Sequence, residues 1–257
     1  MKIPFTKAHG NGNDFLLTWS SDAPQRELAG SARAICDRHT GIGADGWIII
    51  DGFSIRLFNA DGTEAEISGN GTRCAAALLI DSGRAQTDVD ITTGAGTKHL
   101  HLIKRDAETF LFEMNMGNPQ WRDDQVLYTL DGREVTILDV GNPQCALLGD
   151  EIPANWREIG AHFEGHPFFP KRTNVSFIRV LDPHTIEARF YERGAGATLS
   201  SGTGSTGAAV AAILRKAVQS PVKVIGEAGE LQIAWDGDSA MLTGPAVLIG
   251  SGEFYAA

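Results

Sequence analysis

Two short segments, Ser68-Gly69-Asn70-Gly71 and Ser201-Gly202-Thr203-Gly204, hold residue types suited to gripping and altering a small anion. Each runs into an alanine-rich stretch, 72–81 and 205–218, that reads as a helix apolar nearly all round, and therefore enclosed by protein. A helix N-terminus offers unpaired N–H groups and about half a positive charge, which suits a carboxylate. Glycine lets that backbone approach a ligand closely. Two such tips converging on one ligand would each bring a hydroxyl, Ser68 or Ser201. Groups on opposite faces of one carbon suit a reaction that removes a proton from one face and returns it to the other. A serine at either place also serves as an ordinary helix N-cap.

The elements that must position these tips are duplicated. Shifting the chain by 133 residues, the distance from Ser68 to Ser201, lays RLFNADGTEAEISGNGTRCAAALL (56–79) on RFYERGAGATLSSGTGSTGAAVAA (189–212). The same shift pairs Ala95-Gly96 with Ala228-Gly229 and Thr40 with Thr173. One offset over so long a stretch indicates a duplicated domain rather than a solenoid. Short β-branched runs between Gly, Asn and Asp turns predict strands near 47–50, 54–58, 99–104, 110–114, 134–138, 174–180, 185–191, 222–225 and 232–235. Helices are predicted at 27–38, 72–81, 156–162 and 205–218. The expected fold class is α/β: two pseudo-symmetric halves, each a mixed, mostly antiparallel sheet curled around a central helix.

Composition excludes several functions. Lys and Arg number 22 against 32 Asp and Glu, a net charge of −10. Such a chain lacks the basic face that nucleic acid or an anionic membrane surface requires. No apolar stretch approaches the roughly 18 residues of a membrane span, and MKIPFTKAHG lacks the apolar core of a signal peptide. Cys36, Cys74 and Cys145 are widely spaced, without CxxC, so neither disulfides nor zinc is expected, and the reading is a reduced cytoplasm. Glycine is in excess, 30 of 257 residues, against a usual share of about 7%.

Rival motifs fail on context. Gly202-x-Gly204-x-x-Gly207 with Glu227 imitates a dinucleotide fingerprint, but ten residues separate its strand from the first glycine. Gly41-x-Gly43-x-x-Gly46 follows a helix and precedes a strand, the reverse of the required order. No GxxxxGK[ST] occurs. His162-x-x-x-His166 reads as a surface helix end, and no metal site is expected. Cys74 reads as a small buried hydrophobe.

Taken in order, HGNGNDF (9–15), HTGIGADG (39–46), FNADGTEAEISGNGTRC (58–74), GNPQC (141–145), RTNVSF (172–177), YERGAGATLSSGTGSTGAA (191–209) and TGPA (243–246) resemble the diaminopimelate epimerases across nearly the whole chain. The resemblance implies halves at 1–116 and 117–246, with a C-terminal strand, 247–257, returning to the first. It implies 2-epimerisation of LL- and meso-diaminopimelate without pyridoxal phosphate or other cofactor, in the lysine and cell-wall pathway, by a cytoplasmic homodimer. Ligand-holding positions carried over by motif are Asn13, Asn59, Asn142, Asn174, Glu192 and Arg193, with backbone at Gly69, Asn70, Gly202 and Thr203. Arg193 would grip the distal carboxylate, and the asparagines would read an ammonium.

The departures change the chemistry. The family's two catalytic cysteines precede Gly-Asn-Gly and Gly-Thr-Gly; here those positions are Ser68 and Ser201. Gln144 stands for its histidine, Gly46 for its glutamine, and Ala197 where a glutamate is common. A thiol becomes a thiolate at a helix N-terminus, whereas an alcohol needs an adjacent base. The nearby titratable candidate is Glu192. Three readings follow: a slow or altered epimerase with Ser68, Ser201 and Glu192 catalytic, a one-base isomerase or dehydratase using Glu192, and an amino-acid-binding protein without turnover.

Overall fold

The computed structural model describes residues 1–256, and the chain falls into two compact units: Met1–Met114 with the segment from Gly244 onward, and Asn115–Thr243. These limits lie two or three residues from the division at 116 and 247. Gly244–Ala246 belong with unit 1, where the buried Arg73 Nε donates to Pro245 O at 3.2 Å.

Unit 1 runs β1 (Lys2–Gly10), β2 (Asn13–Trp19), α1 (Leu28–Cys36), β3 (Gly46–Asp51), β4 (Ser54–Asn59), β5 (Glu64–Ala65), α2 (Gly69–Asp81), β6 (Asp88–Thr93), β7 (Gly96–Asp106) and most of β8 (Thr109–Gly117). Pairing proceeds β1–β2–β3–β4–β6–β7–β8, then to the last strand, β18 (Ala240–Tyr255), and back to β1. Only β2–β3 and β4–β6 are parallel among the registered pairs of this unit. From Gly69 to Leu79 every residue of α2 is buried, as its apolar circumference requires. A separate core of Ile3, Leu16, Ile35, Trp47 and Phe58 underlies α1.

Unit 2 repeats the order. It contains β9 (Gln120–Trp121), β10 (Tyr128–Leu130), β11 (Arg133–Asp139), β12 (Pro143–Gly149), α3 (Trp156–Glu164), β13 (Asn174–Asp182), β14 (Thr185–Glu192), β15 (Gly196–Thr198), α4 (Gly202–Leu214), β16 (Val222–Gly226), β17 (Gly229–Ala234) and the start of β18 (Ala240–Tyr255). The parallel pairs are again the equivalent ones, β12–β13 and β14–β16. Helix α4 occupies the bounds of α2 displaced by 133 residues, and its interior positions are likewise buried. Both helices begin three residues before the alanine-rich stretches. Gly-x-Gly weakens helix propensity, yet the serine cap and enclosure by the sheet outweigh that cost.

Candidate active site

In unit 2, Ser201 is the N-cap of α4. Its backbone is extended (φ −139°, ψ 123°) and its Oγ accepts from the Gly204 N–H at 3.0 Å. Strand β14 ends on Glu192, turns through Gly194 and Gly196, both at positive φ, and returns as β15 to Thr198. That turn folds the carboxyl of Glu192 back among hydroxyls. Thr198 Oγ1 donates to Glu192 Oε1 at 2.7 Å, and the Ser201 hydroxyl lies near enough to favour the ionised carboxyl. Desolvation raises the pKa of Glu192 above the ordinary carboxylate value, against the opposing pull of both hydroxyls. The result is a proton-retentive carboxyl beside the hydroxyl at a helix tip.

Around it, Asn142 Nδ2 donates to Thr203 Oγ1 at 3.3 Å, and Gln144 Nε2 donates to Asn142 Oδ1 at 2.6 Å. Asn174 Oδ1 accepts the Arg193 N–H at 2.9 Å, and its Nδ2 donates to Pro143 O at 3.2 Å. The Arg193 side chain is exposed, with Nη1 donating to Lys171 O at 3.2 Å. Its strand-end turn is pinned from behind, where buried Glu164 accepts the Gly194 N–H at 3.1 Å and pairs with Arg172.

Unit 1 presents the same cap without the base. Ser68 has φ −132° and ψ 121°, and its Oγ accepts from Gly71 N at 3.2 Å. Among the described residues no titratable side chain is hydrogen-bonded to it. Asn70 Nδ2 donates to Asn13 Oδ1 at 3.2 Å, and Asn13 Nδ2 donates to Asp45 Oδ2 at 2.8 Å. Gly69 and Asn70 form the first turn of α2. Asn59 stands apart, bonded to Thr63 Oγ1 at 3.0 Å in the turn before β5.

Several participants carried no local signal in the sequence. Asp45 and Asp14 share Arg38, at 2.8 and 2.7 Å, and Lys7 meets Asp14 at 3.0 Å. Burial works against the Asp14 charge, but Arg38 and Lys7 outweigh it and hold the carboxyl below its usual range. Thr198 and Arg73 were equally silent; Arg73 was detectable only as a charge inside an apolar helix. Gly46 is tightly enclosed: a Cβ would meet Phe58 O at 3.0 Å and the Leu57 and Phe15 side chains at 3.1 and 3.2 Å, so a side chain there needs its neighbours to give by a few tenths of an ångström. All three cysteines are buried, and desolvation pushes their thiols up to about 12, so none is a nucleophile. The side chains of Asp131, His162 and His166 converge at the end of α3. His166 Nδ1 accepts the Phe168 N–H at 3.1 Å, so the proton of the neutral ring sits on Nε2 and faces Asp131 at 3.2 Å, leaving no lone pair there for a metal.

The sequence pattern of diaminopimelate epimerases matches residues 5–122 and 136–249. The chain belongs to the diaminopimelate epimerase family. It is 36% identical to a diaminopimelate epimerase of Pelotomaculum thermopropionicum over 274 residues, covering 97% of this chain and 98% of that protein. It is 38% identical to one of Synechococcus elongatus over 281 residues, covering 98% of each. In fold it is similar to the crystal structure of a phenazine biosynthesis protein of the PhzF family from Bacillus anthracis. That match has a TM-score of 0.74 at 14% identity and covers 100% of both chains. The α/β class expected from the repeat is thereby shown, and the protein is an isomerase of the epimerase kind. Among the described residues no helix is long and apolar enough to cross a membrane.

Proposed function

We propose that this isomerase acts slowly, or with altered outcome, on LL- and meso-diaminopimelate or a similar amino acid, with Glu192 and Ser201 as its working proton-transfer pair. The observation that carries the reading is a carboxyl of raised pKa, bonded to Thr198 at 2.7 Å and set beside the cap serine of α4. Ionised Glu192 takes the α-proton directly or through Ser201. The helix N-termini, through backbone N–H at Gly69, Asn70, Gly202 and Thr203, stabilise the charge that develops on the reacting carboxylate. Return of a proton from the other face falls to Ser68, a weak acid to which no titratable side chain among the described residues is hydrogen-bonded, and this limits the rate. Asn13, Asn59, Asn142 and Asn174 orient the ligand, and Arg193 grips its distal carboxylate. No cofactor is required, and a cytoplasmic homodimer is the expected form.

The missing base at Ser68 favours a second reading, a one-base isomerase or dehydratase in which Glu192 acts alone. Incubation of LL-diaminopimelate in D₂O, followed by NMR at the α-proton, separates the two. Exchange with inversion supports epimerisation and exchange with retention supports the single base, whereas thermal protection by the amino acid without exchange makes the protein a binder. Arg193→Ala is expected to weaken diaminopimelate binding by roughly 10- to 100-fold, the worth of a charge-assisted pair. Unchanged affinity by calorimetry would remove diaminopimelate as the ligand.

A further inference from the structure

Arg73 is fully buried in the first turns of α2, and among the described residues no carboxylate is bonded to it. Its Nη1 donates to Gly69 O at 3.2 Å and its Nη2 to Asn70 Oδ1 at 2.5 Å. Burial lowers its pKa to about 10. An uncompensated buried cation is costly, and the fold does not require one. The 133-residue shift puts Thr206 at the equivalent place in α4, where its hydroxyl simply bonds Gly202 O at 2.9 Å.

From Arg73 the bonds continue through Asn70 to Asn13 and from Asn13 to Asp45. A guanidinium only donates and a carboxylate only accepts, so two amides strung between them have a single orientation. Unit 2 offers the contrast. Its chain from Gln144 through Asn142 to Thr203 ends on a hydroxyl that donates or accepts, and Gln144 Oε1 is buried with no partner. Turning both amides over there leaves the number of bonds unchanged.

We propose that Arg73 and Asp45 are positioning residues, the two anchors of a relay that fixes the polarity of Asn70 and Asn13. Asn13 is partly exposed and keeps one amide N–H beyond the relay. Held this way round, it serves a hydrogen-bond acceptor. In unit 1 the free amide N–H of Asn13 is therefore offered to an acceptor such as a carboxylate, whereas in unit 2 the Gln144–Asn142 pair presents either polarity. The inference rests on the proposed ligand-holding role of Asn13, Gly69 and Asn70, and gives Asn13 an acceptor to hold in place of the ammonium expected of the asparagines.

A cycle of Asn70→Asp and Asp45→Asn tests it. The carboxylate introduced by Asn70→Asp would accept from Arg73 and oblige Asn13 to turn, setting the Asn13 carbonyl against Asp45; an amide at position 45 relieves that clash by reversing the whole relay. Asn70→Asp is expected to lower Tm by at least about 3 °C more with Asp45 present than in the Asp45→Asn background. Calorimetry with LL-diaminopimelate should then find the stability-restored double variant at least tenfold weaker in binding than Asp45→Asn alone. Arg73→Lys should bind more tightly than Arg73→Gln, since only a cation cannot accept. Equal Tm losses in both backgrounds would overturn the relay, and full binding by the double variant would overturn its reading by the ligand. If the wild-type protein binds no diaminopimelate, the proposed substrate falls, while the Tm coupling, which needs no ligand, still decides the relay.

Discussion

Replacing Ser68 and Ser201 together by cysteine is expected to raise α-proton exchange with inversion in diaminopimelate by at least about 100-fold, the lower range for a positioned acid–base group. Both side chains sit at helix N-caps with extended backbone, so a thiol at either place falls under the N-terminal dipole that favours thiolate. The two positions are not equal. Ser201 already lies beside the Glu192 carboxyl, whereas Ser68 has no titratable side chain bonded to it among the described residues. Ser68→Cys alone should therefore gain more inversion than Ser201→Cys alone. Each replacement weakens a cap and should cost about 1 kcal/mol of stability, visible as a lower Tm alongside the higher rate. Deuterium NMR on the four proteins measures the effect. A flat response in the double variant would move the cause to Gly46, where a Cβ would crowd Phe58 O at 3.0 Å, or to Gln144.

Glu192→Gln is expected to abolish exchange, a loss of about 10²- to 10⁴-fold, while making the protein more stable at neutral pH. The folded environment raises the carboxyl pKa through desolvation. Below the unfolded value both states are protonated and the group costs nothing. As pH climbs through the folded pKa the unfolded chain has ionised freely, and the folded protein bears the desolvation of a charge. The neutral amide escapes that penalty and still accepts from Thr198. The Tm advantage of the variant should thus be present at pH 7 and vanish below about pH 4. In the wild type, exchange should increase with pH through a transition above the ordinary carboxylate range, because only ionised Glu192 takes a proton. An advantage that persists unchanged into acid would show that the gain comes from packing instead.

The duplication was legible because one offset aligned a helix cap, a buried alanine helix and the strand before it, three features that depend on local residue types. Boundaries were less so: the helices reach back to Gly69 and Gly202 because tertiary enclosure outweighs glycine's reluctance. The spacing of nine residues put Glu192 near Ser201, and the β14–β15 turn folds its carboxyl back onto Thr198, beside that serine. What had no local signature was the relay, whose members at 13, 45, 70 and 73 come from separate elements and a loop. No window of sequence contains them. The proton placement on His166 was likewise invisible, since it depends on a backbone N–H two residues away in a turn.

Strand β1 pairs along Lys2–His9 with Val247–Tyr255. This early-synthesised strand is therefore completed by residues made some 240 positions later. Until they emerge, β1 carries an unzipped edge, and loop closure of that span is slow. Unit 2 has all its own strands by Thr243 and needs no such wait. Vectorial synthesis thus runs against the order of completion: the half begun last is the one finished first, and the nascent N-terminal half needs shelter from edge-to-edge association in the interval.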